Sequence, residues 1–292
     1  LRQCVRETII PRAEPGSTAP NGPNYVIEEE LDREDRPYRE YIGRHEMIKS
    51  RDEVRIKAYA MDPLMPKSER REQFAQAVRD LEALSSLDDN KYVAQAYDVF
   101  RDEEDELIFY LVSEWVGPKT LGDLIRDRDY DAETPSISAR VEYAYHLAKA
   151  IERVHTEGIV HRNLNPDVVY ISEEEPESGG APVPLQLADF DYARMTQLRS
   201  ITGGLSAIGT EGYVAPEMWN GQPHDRRADI YSLGIVLYEL FVGESLYHGI
   251  SEVLEYRRYW EERRERIPVE GLRNVMDRML VGDPDERLDD AG

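Results

Sequence analysis

The chain has 292 residues, enough for one large domain or two lobes, and 40% of them are apolar, enough to form a core. A formal net charge of −23 argues against a nucleic-acid-binding surface, because phosphate contacts need clustered Lys and Arg that release counterions. No uninterrupted apolar run approaches the ~18–20 residues of a membrane-spanning helix, so no membrane segment is predicted.

The start carries neither a basic leader nor an apolar signal run, and Cys4 is the single cysteine. One cysteine forms no internal disulfide and builds no Cys-rich zinc site, which fits a reducing, cytoplasmic location. Because the chain runs from Leu1 to Gly292, it is expected to be a piece of a longer protein. Six lysines stand against 30 arginines and 59 acidic residues. That balance is expected of a salt-rich cytoplasm, and a GC-rich genome would also raise Arg over Lys.

Residues 1–36 mix apolar and turn-rich stretches, with Pro11, Pro15, Gly16, Pro20, Gly22 and Pro23 clustered, and read as a linker. Asn24–Glu30 is a candidate extra strand within it. From Tyr38 the pattern becomes strand-like, and Val54, Ile56 and Ala58 alternate with Arg55 and Lys57. Ser68–Leu87 predicts a helix with an apolar stripe of Phe74, Val78, Leu81 and Leu84. Strands follow at Val93–Phe100 and Leu107–Glu114. After Gly117 helices dominate: Leu121–Arg126, Ser138–Glu157, Val253–Arg266 and Leu272–Leu280. Asp229–Val242 is apolar on several faces and predicts a buried central helix. Short strands are expected at Val168–Ile171 and Leu185–Leu187. Arg257–Arg266 is interrupted by Glu261, Glu262 and Glu265, and reads as a solvated helix face. The expected organisation is a linker at 1–36, a small lobe at 37–115 and a larger lobe at 116–292.

An ordered series of motifs runs through these elements. It comprises Val54-Arg55-Ile56-Lys57, Asp80, His161-Arg162-Asn163-Leu164-Asn165-Pro166-Asp167-Val168, Asp189-Phe190-Asp191 and Ala215-Pro216-Glu217. Asp229 opens the central helix, and Arg287 lies in Asp283-Pro284-Asp285-Glu286-Arg287. In this order and spacing the chain resembles the eukaryotic-like Ser/Thr protein kinase superfamily from about Tyr38 onward. Leu164-Asn165-Pro166 and Asp189-Phe190-Asp191-Tyr192-Ala193-Arg194 resemble, more narrowly, kinase domains of large prokaryotic multidomain proteins, nuclease-related or linked to phage defence. The resemblance implies a bilobal α+β fold, with a small antiparallel sheet and one helix in one lobe and a mostly helical second lobe.

It also implies roles. Lys57 and Asp80 would pair and hold ATP phosphates, Glu114-Trp115-Val116 would form the hinge, and Asp189 would ligate magnesium. His161 and Phe190, with Leu84, would join an apolar spine. Glu217 and Arg287 would form a buried ion pair. Asp229 would cap its helix and hold the Asn163 loop by backbone hydrogen bonds. Arg162 could meet a phosphate on the Ser/Thr-rich loop that follows, or that loop is ordinary; Thr210 matches a substrate-platform threonine.

Several family parts are altered. Asn163 stands at the catalytic aspartate, and an amide accepts no proton at neutral pH. Val168 stands where an asparagine would bind a second magnesium, which wants hard oxygen ligands. Asn165 replaces a lysine. Asp191 replaces the glycine after Phe190 and either adds a metal carboxylate or is a hydrogen-bonded turn residue. Gly43 stands alone in Tyr41–Met47, 14 positions before Lys57, so the Gly-rich phosphate loop is expected to be absent. Arg55 and Tyr170 take the roof and floor positions of the adenine slot. Either they stack and fill it, or Arg55 turns to solvent. The expected function is a catalytically impaired pseudokinase serving as a regulatory or interaction module, with ATP and Mg²⁺ bound weakly or not at all. The alternative is an active atypical kinase, or nucleotidyl transferase, using one Mg·ATP. Protein partners are expected, other domains of the same chain among them; neither nucleic acid nor membrane contact is. The six scattered histidines suggest no metal site.

Overall fold

The structure, a computed structural model, describes residues 24–31, 38–61, 63–85, 87, 91–102, 105–126, 135–172, 185–190, 212–247 and 255–291; the side chains of Gln73, Gln76 and Asp80 lie outside that set. Contacts divide the chain into two units that change over between Trp115 and Val116, with Lys91–Val93 belonging to the second.

The first unit is an antiparallel sheet. Its strands are β1 (Tyr25–Leu31), β2 (Arg39–His45), β3 (Val54–Ala60), β4 (Ala96–Arg101) and β5 (Ile108–Glu114), in the order β1-β2-β3-β5-β4. Side chains alternate across a strand, so one face gathers Tyr25, Ile27, Tyr41, Val54, Ile56, Tyr110 and Val112 into a buried core. The other parity of β2 and β3 carries Glu40, Arg55 and Lys57, and these are buried as well. Helix α1 (Lys67–Ser85) packs along β4 through buried Ala77 and Leu84. Its last residue, Ser85, donates through Oγ to the Ala96 carbonyl at 3.1 Å.

The candidate strand at Asn24–Glu30, inside the stretch read as a linker, is β1, a full member of the sheet: Tyr25 and Ile27 bury completely while Glu28 and Glu29 stay exposed. Gly43 is not in a loop. It lies within β2, opposite Ile27 of β1 and Val54 of β3. A Cβ there would come within 2.5 Å of the Val26 carbonyl oxygen, so the glycine serves close strand approach beside the bulge at Ile27–Glu29. Residues 32–38, Asp-Arg-Glu-Asp-Arg-Pro-Tyr, lie between the first two strands in sequence and contain no glycine.

The second unit is mostly helical: α2 (Leu121–Arg126), α3 (Ile137–Thr156), α4 (Pro216–Trp219), α5 (Arg227–Val242), α6 (Tyr256–Arg263) and α7 (Glu270–Met279). Strands β6 (Val169–Ile171) and β7 (Leu185–Leu187) form a two-stranded ladder against α3. Ser136 caps α3, accepting from the Ala139 N–H at 3.3 Å. Every residue of α5 from Ala228 to Phe241 is buried, so it is the core of this unit. It ends at Gly243, whose φ of 78° is the left-handed conformation that glycine adopts without penalty. The arginines of α6 pair with acids one turn along, Arg257 with Glu261 and Arg258 with Glu262, as a solvated face would.

A buried ion pair ties α4 to Arg287. Arg287 Nη1 and Nη2 meet the Glu217 carboxylate oxygens at 2.7 and 2.9 Å. The remaining N–H groups reach the carbonyls of Arg227, Gly282 and Val281 at 2.7, 3.3 and 2.9 Å. All five guanidinium donors are thus engaged. Removing one partner leaves an uncompensated buried charge, so Arg287→Ala is expected to cost about 3–5 kcal/mol in urea denaturation; a loss below about 1 kcal/mol would show the pair to be hydrated.

Candidate functional site

Lys57, Asp80 and Glu114 belong to the first unit; Val116, His161, Arg162, Asn163, Asp189, Phe190, Glu217, Asp229 and Arg287 belong to the second. Strand β3 fixes Lys57, which is 1% exposed and lies opposite Glu40 and Leu111. Its Nζ donates to the Tyr38 hydroxyl at 3.3 Å and sits 4.6 Å from that ring's centroid. Asp80 lies on α1, and its side chain is outside the described set.

Arg55 does not turn to solvent. It is 1% exposed, and its Nη1 is ion-paired with the equally buried Glu40 carboxylate. Its guanidinium lies over the Trp115 indole, 4.6 Å from the ring. Arg55 faces Ile42 in register, which puts Glu40 two residues along on the same face. Trp115 is thus a stacking partner of Arg55 within this unit. Glu114 is engaged twice by Gln95: its N–H donates to the Gln95 carbonyl at 2.8 Å, and its Oε2 accepts from the Gln95 N–H at 3.0 Å. Val116, 8% exposed, opens the second unit.

In the second unit the loop 161–168 hangs on one carboxylate. Asp229 accepts from the N–H of His161 and of Arg162, each at 2.7 Å, and lies 2.8 Å from His155 Nε2. It does not cap its own helix, as the sequence suggested. It sits in the first turn of α5, and the backbone N–H of Arg227 is met instead by Asp225 Oδ1 at 2.9 Å. Arg162 has a φ of 63°, an unusual conformation for a side-chain-bearing residue, which this pair of bonds holds in place. The His161 ring is 4.7 Å from Phe190 and joins the loop to the segment that follows β7. Its Nε2 bonds the Ala188 carbonyl at 2.9 Å, and its Nδ1 accepts from the Asn163 N–H at 3.3 Å. That pattern is the neutral Nε2–H tautomer, and burial lowers the imidazole pKa against the pull of Asp229.

Asn163 holds its place through its backbone: its carbonyl accepts from Asn165 Nδ2 at 2.7 Å. Asn165 is buried, and its Oδ1 accepts from the Asp167 N–H at 3.0 Å. Where a lysine was expected from the resemblance, an amide caps the single turn Pro166–Val168. The Val168 side chain is 5% exposed and apolar, and its carbonyl accepts from the Ala188 N–H at 2.9 Å. Asp189 has a φ of 62°, and its Oδ2 accepts from the Tyr170 hydroxyl at 3.2 Å. Tyr170 itself is 1% exposed. The side chains at positions 163, 168 and 189 are one amide, one valine and one carboxylate. Asp191, Thr210 and the Ser/Thr-rich segment between them lie outside the described residues. Among the described residues no group of three His, Cys, Asp or Glu could hold a metal ion, and no helix is long and apolar enough to cross a membrane.

The sequence matches the protein kinase domain family over residues 46–289. It is 29% identical over 209 residues to a probable serine/threonine-protein kinase of Clostridium acetobutylicum, covering 69% of this chain and 29% of that one. It is 33% identical over 190 residues to the serine/threonine-protein kinase PknB of Mycobacterium leprae, covering 62% of this chain and 28% of that one. The chain thus spans under a third of the length of these relatives. In fold it is similar to the crystal structure of the Mycobacterium tuberculosis PknI kinase domain, with a TM-score of 0.68, 20% identity, and 96% and 95% of the two chains covered. The α+β architecture of a small antiparallel sheet with one helix, followed by a helical unit, is that of the bilobal protein kinase fold.

Two outcomes are expected. Arg55→Ala leaves the Glu40 carboxylate buried without its cation and should cost about 3–5 kcal/mol, whereas Arg55→Met with Glu40→Leu should return stability to within about 1 kcal/mol of the parent. Urea denaturation of the three proteins checks this. For His161, folding lowers the pKa from its ordinary 6.5, so its stabilising share is whole above that pH and is lost as pH falls toward the folded value. The stability gap between the parent and His161→Gln should therefore narrow between pH 7 and pH 5; a gap that stays constant would mean the ring protonates freely in the fold.

Proposed function

Because this chain belongs to the protein kinase domain family, we propose that it is a kinase-fold module whose phosphate transfer is impaired and whose role is regulatory or interactive. The observation that carries this reading is the donor set of the catalytic loop. Asn163 can hold an incoming hydroxyl but cannot take its proton. Loss of general-base help alone costs roughly 10²–10⁴ in rate. Val168 offers no oxygen to a second magnesium, and magnesium demands near-ideal octahedral oxygen coordination. These residues do not fit a pair of magnesium ions, and the glycine-free stretch 32–38 lacks the residue type that lets backbone N–H groups close around phosphate. Weak or absent Mg·ATP binding follows from this reading. Protein partners, including other domains of the same polypeptide, would then be its ligands. With a charge of −23, contact with nucleic acid is disfavoured for this segment. A cytoplasmic setting and kinship with multidomain prokaryotic proteins of the phage-defence kind belong to the same proposal.

A second reading, an active atypical Ser/Thr kinase or nucleotidyl transferase on one Mg·ATP, is favoured by buried Lys57 on β3, by Asp189, and by relatives named serine/threonine-protein kinases. Incubation with Mg²⁺ and γ-labelled ATP separates the two. Impaired transfer predicts no label in this chain or in a generic protein substrate above the Lys57→Ala, Asp189→Ala control. Label that the double substitution abolishes would establish the second reading.

A further inference from the structure

Helix α3 is apolar on two sides. Its inner side buries Tyr143, Leu147, Ile151 and Val154. On its outer side Ile137, Val141 and Tyr145 are 46%, 48% and 52% exposed. Spaced four residues apart, they stack into one inclined ridge about 12 Å long. The flanking rows hold small residues, with Ala144 and Ala148 partly exposed on one side and Ser138 exposed on the other. A ridge between shallow grooves is the surface against which a second helix packs. A solvated face would carry charges at these positions, as α6 does with its Arg–Glu pairs. Charge marks one end of the ridge. The Tyr92 ring lies 5.4 Å from His146, next to Tyr145, and Lys91 Nζ lies 5.1 Å from the Tyr92 ring. Lys91 is exposed and pairs with no carboxylate among the described residues. Lys149, next in the same row, is already held by Glu152 at 2.5 Å, and Glu142 follows Ser138 in its row.

We propose that the outer face of α3 docks a single amphipathic helix of a protein partner, with its apolar side on Ile137, Val141 and Tyr145 and an acidic residue near one end against Lys91. Size decides against a second folded copy. Three half-exposed side chains present on the order of 300 Å², well short of the ~800 Å² that each partner buries in a stable complex of folded proteins. A second copy would also bring the same charge of −23 and be repelled. A lone helix needs no more than this ridge, which it meets through apolar anchors at i, i+4 and i+7. Lys91 then sets the direction in which the helix lies, because a rim charge contributes more to orientation than to affinity. The inference goes beyond the reading above: the surface is the same whether or not the chain transfers phosphate.

The probe is a display library of helical peptides with leucine at i, i+4 and i+7 and all other positions randomised, selected on the whole chain. Selected peptides should bind the parent in fluorescence anisotropy and lose at least about tenfold in affinity against Val141→Asp and, separately, against Tyr145→Ala. They should be enriched in Asp or Glu near one end, and a repeat selection on Lys91→Glu should favour Lys or Arg there. The substituted side chains are half exposed, so circular dichroism should show folded variants; if Val141→Asp unfolds, Tyr145→Ala decides alone. A library that yields no binder, binders indifferent to both substitutions, or binders with no acidic end would each overturn the proposal. So would a parent dimer in sedimentation equilibrium that Val141→Asp dissolves, since a second copy would then own the face. The assay needs neither ATP nor metal, so phosphate transfer would sink the impaired-kinase reading and leave this surface standing, and the reverse holds for a failed selection.

Discussion

The carboxylate of Asp229, buried in the first turn of a helix that meets solvent almost nowhere, fixes the geometry of the second unit. Its two oxygens receive the His161 and Arg162 N–H groups and face His155 Nε2. An ionic acceptor in a low-dielectric interior holds its donors far more firmly than a surface one, and it leaves them nowhere else to go. The left-handed turn at Arg162 and the orientation of the His161 ring both descend from it. From that ring the constraint passes to Ala188, and so to the strand end that presents Asp189.

This framework is that of the protein kinase family, while the groups it presents are changed. The Glu217–Arg287 pair, the central helix and the loop architecture need specific buried partners, and all of them are present. In the second unit positions 163 and 168 carry an amide and a valine, and the Tyr170 hydroxyl donates to Asp189. In the first unit Arg55 and Glu40 place an ion pair on the face of β3 that also carries Lys57. Scaffold and chemistry answer to different residues, and the proposed function rests on that distinction.

Much of this was legible in the sequence. The central helix announced itself by apolar residues on all faces, and the β6–β7 ladder by short apolar runs around a polar loop. The altered positions Asn163 and Val168 could be read directly, since they lie in a motif whose spacing is intact. What could not be read was register. Gly43 invited placement in a phosphate loop, because an isolated glycine marks a turn as readily as a close strand approach. That misplacement hid the register of β2 on β3 that sets Glu40 beside Arg55. The roles of Tyr38 and Trp115 were likewise invisible, because an aromatic ring says nothing of which cation will cover it. Asp229 was expected both to cap its helix and to hold the Asn163 loop; the fold keeps the second role and gives the first to Asp225, two residues before Arg227.

The central claim is that the catalytic loop keeps its shape without its metal-binding chemistry. The most direct measurement is anomalous diffraction from a crystal of this chain soaked with MnCl₂ and a non-hydrolysable ATP analogue. The account predicts no pair of ordered Mn²⁺ ions at the loop that carries Asn163 and Val168. Two ordered Mn²⁺ ions bridging phosphate oxygens to Asp189, with a further protein oxygen completing the shell near Asn163, would contradict it.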